Sequence, residues 1–476
     1  MKYLKQGCYI DGKWRSPQGS KTLTVRNPAS GETVGVVPNC TADETEEAIQ
    51  AAAKAFPAWR ALSAWERSEK LYALYQLIKQ NQEELGKLLT IEQGKPLAEA
   101  KTEIMYGASY ILWYAEEAKR VYGDLLPSSA RHKRISVLRE PVGVCAAITP
   151  WNFPQAMLAR KLAPALAAGC TFISKPDDKT PFSALALAAL CEEAGIPAGV
   201  FNVITGEPGP IGKALMDSDA VRKVSFTGST RVGRVLLEQS AKTIKKLTLE
   251  LGGNAPFIVF ADADLEKAAK HALFTKFRNA GQTCVCVNRF LVEKKAVPQF
   301  SELLINEVKK LKVGNGLDAD TTVGPLIAQF AVKKVCELLD DALRNGAKIT
   351  HGKVPDGTSL FMEPIVLSDA RPGMRMFKEE IFGPIAAIYP FDSEEQAVQM
   401  ANDTEYGLAS YFFTRDLSRA IRVQEGLQYG MIGVNEGAIS AAEVPFGGIK
   451  HSGFGREGGR YGIEEYVHTK YVCVGL

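Results

Sequence analysis

Apolar residues recur on one helical face in the first quarter of the chain. The run after Ser63 carries Leu71, Leu74 and Ile78 at the spacing of a helix that must cover an apolar neighbour. Two start signals precede such runs. Thr41-x-x-Glu44 and Ser63-x-x-Glu66 have the spacing at which a hydroxyl and a carboxylate each bond the other's backbone N–H. From residue 142 the pattern changes to short apolar runs at 142–148, 171–174, 201–204, 221–226 and 246–249, alternating with helix signals. Between the second and third, Thr180 is expected as N-cap, Pro181 in the first turn and Gly195 as the stop of an Ala/Leu-rich helix. Such alternation predicts a parallel sheet with crossover helices, which binds ligands at the carboxyl ends of its strands. A second α/β region follows from Gly252, with an apolar run at 255–260 and helical segments at 265–278 and 298–311. The segments 119–140 and 461–476 are polar and β-like, and their spacing lets them pair as an arm.

Composition narrows the class. A chain of 476 residues, 46% hydrophobic and 23% charged, can build several apolar cores and needs no disulfide scaffold. Lys+Arg 57 against Asp+Glu 54 leaves a net charge of +3, too little to favour nucleic acid or an anionic membrane, so any anion must be recognised locally. No stretch reaches the roughly 18 apolar residues of a membrane span. Residues 1–20 hold no apolar segment of the kind secretion needs, so a cytoplasmic protein is expected. Nine scattered cysteines, an odd number, read as reduced thiols that mostly fill core positions. The five histidines are dispersed and no ligand spacing recurs, so no metal site is expected.

The cofactor signal is indirect, because the G-x-G-x-x-G fingerprint is absent. Instead the run 221–226 leads into Thr227-Gly228-Ser229-Thr230-Arg231-Val232-Gly233, a G-x-T-x-x-G turn opening a helix. Glycines admit a close backbone approach and a helix N-terminus attracts a pyrophosphate, although an ordinary strand-to-helix turn would look the same. Lys175, at the end of its strand, can reach ribose or phosphate oxygens. Asp178 can accept from the adenosine ribose and repel a 2′-phosphate, favouring NAD over NADP, while Lys179 beside it acts the other way.

Two further segments carry candidate chemistry. Gly281-Gln282-Thr283-Cys284-Val285-Cys286 places a thiol after a glycine turn, and Glu250-Leu251-Gly252-Gly253 places a carboxylate at a strand end. Each alone has a bland reading, a core cysteine and a surface acid. Together with Thr149-Pro150-Trp151-Asn152-Phe153-Pro154, Phe226-Thr227-Gly228-Ser229-Thr230, Glu380-Ile381-Phe382-Gly383-Pro384 and Pro445-Phe446-Gly447-Gly448, they resemble the aldehyde dehydrogenase superfamily in motif and order, from about residue 10 to the C-terminus.

That resemblance implies a Rossmann-like NAD(P)-binding domain (1–118 and 141–251), an α/β catalytic domain (252–444) and a small β oligomerisation arm (119–140 and 455–476), in a homodimer or homotetramer. It implies Cys284 as the nucleophile, Asn152 as a donor to the developing oxyanion and Glu250 as the base that activates water. Glu380 and Phe382 would hold the nicotinamide ribose and ring; Trp151, Asn152, Lys175, Gly228, Ser229, Gly233 and Leu251 would supply other cofactor contacts. Because Glu250 is kept, hydrolysis to the free acid is expected rather than transfer to coenzyme A. Within the superfamily the run 276–286, with its Cys-x-Cys, resembles the succinate semialdehyde dehydrogenases. In that subfamily two arginines and a serine hold the distal carboxylate, matching Arg160, Arg278 and Ser440 here, and Cys286 matches a thiol that can act as a redox partner. Glutarate semialdehyde or another carboxylate-bearing aldehyde is the alternative substrate.

Overall fold

The computed structural model describes residues 1–15 and 21–476, so the last five residues of the N-terminal stretch 1–20 lie outside it. Two open sheets carry the fold. The first runs in the order Lys13–Arg15, Cys8–Ile10, Phe201–Val203, Thr171–Lys175, Val144–Ile148, Val221–Thr227, Lys246–Glu250, Gly453–Phe454. The five expected runs form its parallel centre. Antiparallel strands stand only toward its edges. Across the centre, strand order reverses between Val144–Ile148 and Val221–Thr227, which opens a crevice at the carboxyl ends of those two strands.

Alternation along each strand feeds two cores. Cys145 and Ala147 pack on the face covered by Leu71, Leu74 and Ile78, while Val144 and Ala146 face Ile211, Leu215 and Leu236. Both capping boxes form at the helices Ala42–Ala61 and Ala64–Gln80, as their spacing predicts. The Ala/Leu-rich helix spans Phe182–Glu193 and is buried on every side from Phe182 to Cys191. Its start differs from expectation. Pro181, not Thr180, stands at the N-cap, and the Thr180 N–H turns back to the Asp177 carbonyl. The amides left free are taken by Glu92 from another helix, at 2.8 Å from both Phe182 N and Ser183 N. A cap reaching across the core leaves no trace in the local pattern. Gly195 ends the helix at φ +74° as expected.

The second sheet runs Lys348–His351, Ile365–Ser368, Ile385–Phe391, Val287–Glu293, Ala255–Val259, Ala409–Phe413, Met431–Val434, parallel except for its first pair. Phe257 and Val259 feed one core, Ile258 the other. A third sheet pairs Val467–Gly475 antiparallel with Lys133–Pro141, which also pairs with Asp124–Leu126. The pairing expected of the two polar segments is therefore present. No helix among the described residues is long and apolar enough to cross a membrane.

Candidate active site

The loop that presents Cys284 begins where the helix Leu265–Phe277 stops. Asn279, Ala280 and Gly281 take positive φ of 52°, 54° and 76° in succession, a conformation that costs non-glycine residues roughly 1 kcal/mol or more each. Side chains hold it there. Gln282 accepts the Ile327 N–H at 2.9 Å and donates to the Asn279 carbonyl at 3.1 Å, and Asn279 donates to the Asn152 carbonyl at 3.0 Å. A turn closed by the Cys286 N–H and the Thr283 carbonyl (2.9 Å) then carries Cys284 at its crest, half-buried. Glycine is required opposite it, since a Cβ on Gly253 would meet the Cys284 carbonyl oxygen at 2.5 Å.

Two cavities meet at this turn. One, of about 270 Å³, is lined by Trp151, Asn152, Gly228, Ser229, Leu251, Cys284, Glu380 and Phe382, among others. The other, of about 560 Å³, is lined by the next residues along the same two loops, Phe153 and Val285, with Arg278, Tyr106 and Ser440. The thiol therefore stands where a ligand in the first cavity and one in the second can touch.

Glu250 ends its strand buried, with neither carboxylate oxygen hydrogen-bonded among the described residues. Burial, with Glu457 nearby, holds its carboxyl well above the usual range, against the pull of Arg160 and Lys161. Burial likewise pushes the Cys284 thiol up to about 12; Glu380 and Glu250 add to the rise and Arg160 opposes it. The Asn152 amide donates one hydrogen bond, to the Gln282 carbonyl at 3.0 Å, and so keeps a second N–H. Among the described residues the Cys284 N–H has no acceptor.

The first cavity fits a dinucleotide by its own chemistry. Ser229 caps the helix Thr230–Ser240 at the sheet's switch point, and Gly233 packs against Leu251, where a Cβ would come within 2.7 Å of its side chain. Glu380 accepts the Gly253 N–H at 3.1 Å, and burial raises it to about 7; Trp151 and Phe382 meet edge to face, 5.6 Å between ring centres. Lys175 is buried at its strand end without an ion-pair partner among the described residues. Asp178 lines a separate cavity of about 510 Å³ with Arg26 and Lys179. Beside it Asp177 is pushed up to about 6 by burial and by Asp178, an acid that no motif in the sequence singles out.

The three residues expected around a substrate carboxylate are not alike. Arg278 lies between the rings of Phe153 and Phe274, 5.2 and 5.1 Å from their centres, and has no acceptor or ion-pair partner among the described residues. It faces the larger cavity with Ser440. Arg160, by contrast, is fully buried and paired with Glu457 at 2.6 Å, over the ring of Phe446. It is neither on a solvated face nor in the wall of that cavity; its nearest link to the cavity is the Tyr106 hydroxyl, 3.5 Å from its Nη1. Lys161 binds the same Glu457. Cys286 is buried apart from the cavity of Cys284, its sulfur 3.5 Å from the Lys276 Nζ. No signal in the sequence points to Glu457, because its partners are some 300 positions away.

The whole chain compares with known proteins in the same sense. The aldehyde dehydrogenase family matches residues 14–472. A glutarate-semialdehyde dehydrogenase of Pseudomonas putida is 54% identical over 474 residues, 99% of this chain and 98% of its own. An NADP(+) succinate-semialdehyde dehydrogenase of Escherichia coli has the same identity and coverage. The crystal structure of a succinate-semialdehyde dehydrogenase from Burkholderia pseudomallei superimposes with a TM-score of 0.98 at 53% identity, covering 100% of this chain and 99% of that one. With a thiol and an amide in the wall of one cavity at the switch point, a buried carboxylate at the end of a neighbouring strand, and this likeness along its length, the chain belongs to the aldehyde dehydrogenase family.

Proposed function

We propose that the protein oxidises a small carboxylate-bearing aldehyde, succinate semialdehyde first, to the free acid with NAD or NADP. The unpaired Arg278 guanidinium in the wall of the larger cavity carries this reading. A half-buried cation against two ring faces and without an ion-pair partner is open to an anion. In the reaction the Cys284 thiolate adds to the aldehyde carbon, and the carbonyl electron pair moves to oxygen, where the free Asn152 N–H and the Cys284 N–H receive it. A bound nicotinamide would supply the acceptor for the hydride that leaves this carbon. The carbonyl re-forms as a thioester on Cys284. Glu250 then takes a proton from water as the water attacks, and the thiolate leaves. Trp151, Glu380 and Phe382 would hold the nicotinamide end, and Gly228 and Ser229 the pyrophosphate.

The test is kcat/KM over a panel of succinate semialdehyde, glutarate semialdehyde and simple aliphatic aldehydes. Arg278→Ala should lower the value for the two half-aldehydes about 10- to 100-fold, the loss of a hydrogen bond between charged groups, and spare the aliphatic ones. Arg160→Ala should act differently, because it removes one of the two cations paired with the buried Glu457 and leaves Lys161; a loss of stability of up to about 3 kcal/mol is expected there. If Arg278→Ala treats all substrates alike, the carboxylate reading is wrong. The two half-aldehydes differ by one methylene, worth about 1–3 kcal/mol, so the panel also ranks them. Run with both cofactors, it tests a modest preference for NAD: Asp177 and Asp178 repel a 2′-phosphate, while Arg26 and Lys179 offset them, and Asp178→Ser should shift the ratio toward NADP.

The chain is also proposed to assemble through the three-stranded sheet, whose Leu125, Leu126, Leu138, Tyr471 and Val474 are exposed. A dimer or tetramer is expected in sedimentation velocity, reduced to smaller species by Leu125→Glu. A wild-type monomer at micromolar concentration would remove the idea.

A further inference from the structure

One cluster beside the reacting groups has no part in the scheme above. Lys95 precedes the helix Leu97–Glu117 and Glu103 lies within it, and neither side chain has any exposed surface. Lys95 Nζ donates to Glu103 Oε2 at 2.6 Å and to the Asn152 carbonyl at 2.8 Å, and sits 3.7 Å from the centre of the Phe153 ring. The other Glu103 oxygen accepts the N–H groups of Gln155 and Ala156, at 3.1 and 3.2 Å. These are amides at the start of the helix Pro154–Ala168, which has no side-chain cap of its own. Asn279 supplies a second donor to the Asn152 carbonyl; its own side-chain oxygen accepts from Gln93, which in turn takes the Lys95 N–H.

A buried ion pair contributes little net stability, because desolvation offsets the attraction. This one instead fixes a stretch of backbone at both ends. The Asn152 main chain is held by Lys95, and the helix that follows it by Glu103, so the two charges act on the direction of the Asn152 side chain through its backbone, together with the Gln282 carbonyl to which its amide donates. An oxyanion donor works only if it is aimed before the charge develops. We propose that Lys95 and Glu103 are positioning residues for the Asn152 amide, holding its free N–H toward the carbonyl oxygen above Cys284. The role rests on the reading of Asn152 as oxyanion donor.

Lys95→Met should lower kcat about 10- to 100-fold, the cost of displacing a reacting group by about 1 Å, with KM for the cofactor within about twofold of wild type. In an Asn152→Ala background, itself slower by about 100-fold or more, the same change should cost less than about threefold, because nothing remains to be aimed. If Lys95→Met alone does not yield folded protein, Lys95→Met/Glu103→Leu carries the same test, since it strands no charge. A folded variant with kcat within about threefold of wild type, or losses that multiply in the Asn152→Ala background, would overturn the proposal. If Asn152→Ala itself keeps its kcat, the oxyanion reading fails and the positioning role falls with it. If Asn152→Ala is slow and Lys95→Met is not, only the positioning role fails.

Discussion

Cys284→Ala is expected to lose aldehyde-dependent reduction of the cofactor by about 10⁴-fold or more while keeping its fold. The side chain is half-buried at the crest of a turn that Gln282 and Asn279 hold in place, so losing its sulfur should change stability by less than about 1 kcal/mol. Steady-state reduction of the nicotinamide and a thermal melt would be measured on the same preparation. The thiol's surroundings add a pH signature. A raised thiol pKa favours the neutral form, so the thiolate is scarce at neutral pH and grows as pH rises toward about 12. Alkylation of Cys284 by iodoacetamide in the cofactor-free enzyme should thus climb about tenfold per unit from roughly pH 7 to 10 without levelling off. A plateau near pH 8 would show that burial does not govern this sulfur, and turnover at a normal pace in the alanine variant would end the thioester scheme.

How much of the fold and of the site is legible in the sequence depends on the reach of each interaction. Thr41 with Glu44 and Ser63 with Glu66 close over three residues, and both boxes form. The strands at 171, 221 and 246 begin at the expected residue, because an apolar run bounded by turns has few other places to sit in a parallel sheet. The candidate site is legible only as separate motifs. Asn152, Glu250 and Cys284 each lie in a recognisable segment, but their spacing says nothing of the cavity that Asn152 and Cys284 share. The long-range partners are not legible at all. Glu92 caps a helix some 90 residues on, and Glu457 neutralises Arg160 from the far end of the chain. A guanidinium without an ion-pair partner and one paired in the interior look identical in sequence; which is which depends on whether a carboxylate arrives from another element.

Glu250→Gln should leave the first half of the reaction in place and stall the second. Hydride departure from the Cys284 adduct needs no base at position 250, so mixing enzyme, cofactor and succinate semialdehyde should give a rapid burst of reduced cofactor matching the site concentration. Steady turnover should then fall about 10²- to 10⁴-fold, the usual worth of a general base. Mass spectrometry during that phase should find Cys284 carrying the acyl group. The sign of the pH effect follows from the surroundings of the carboxyl. Burial and Glu457 hold its pKa well above the ordinary carboxylate range, so the ionised form that can take a proton from water is populated only as pH rises through that raised value. Wild-type deacylation should therefore accelerate with pH on a limb displaced upward from that of a free carboxylate, and the glutamine variant should lack this limb. Gln fills nearly the same volume where neither Glu250 oxygen has a hydrogen-bond partner among the described residues, so packing should change little and the loss can be read as chemistry. Unchanged steady turnover, or a stalled enzyme with no acyl group on Cys284, would place the water-activating group elsewhere.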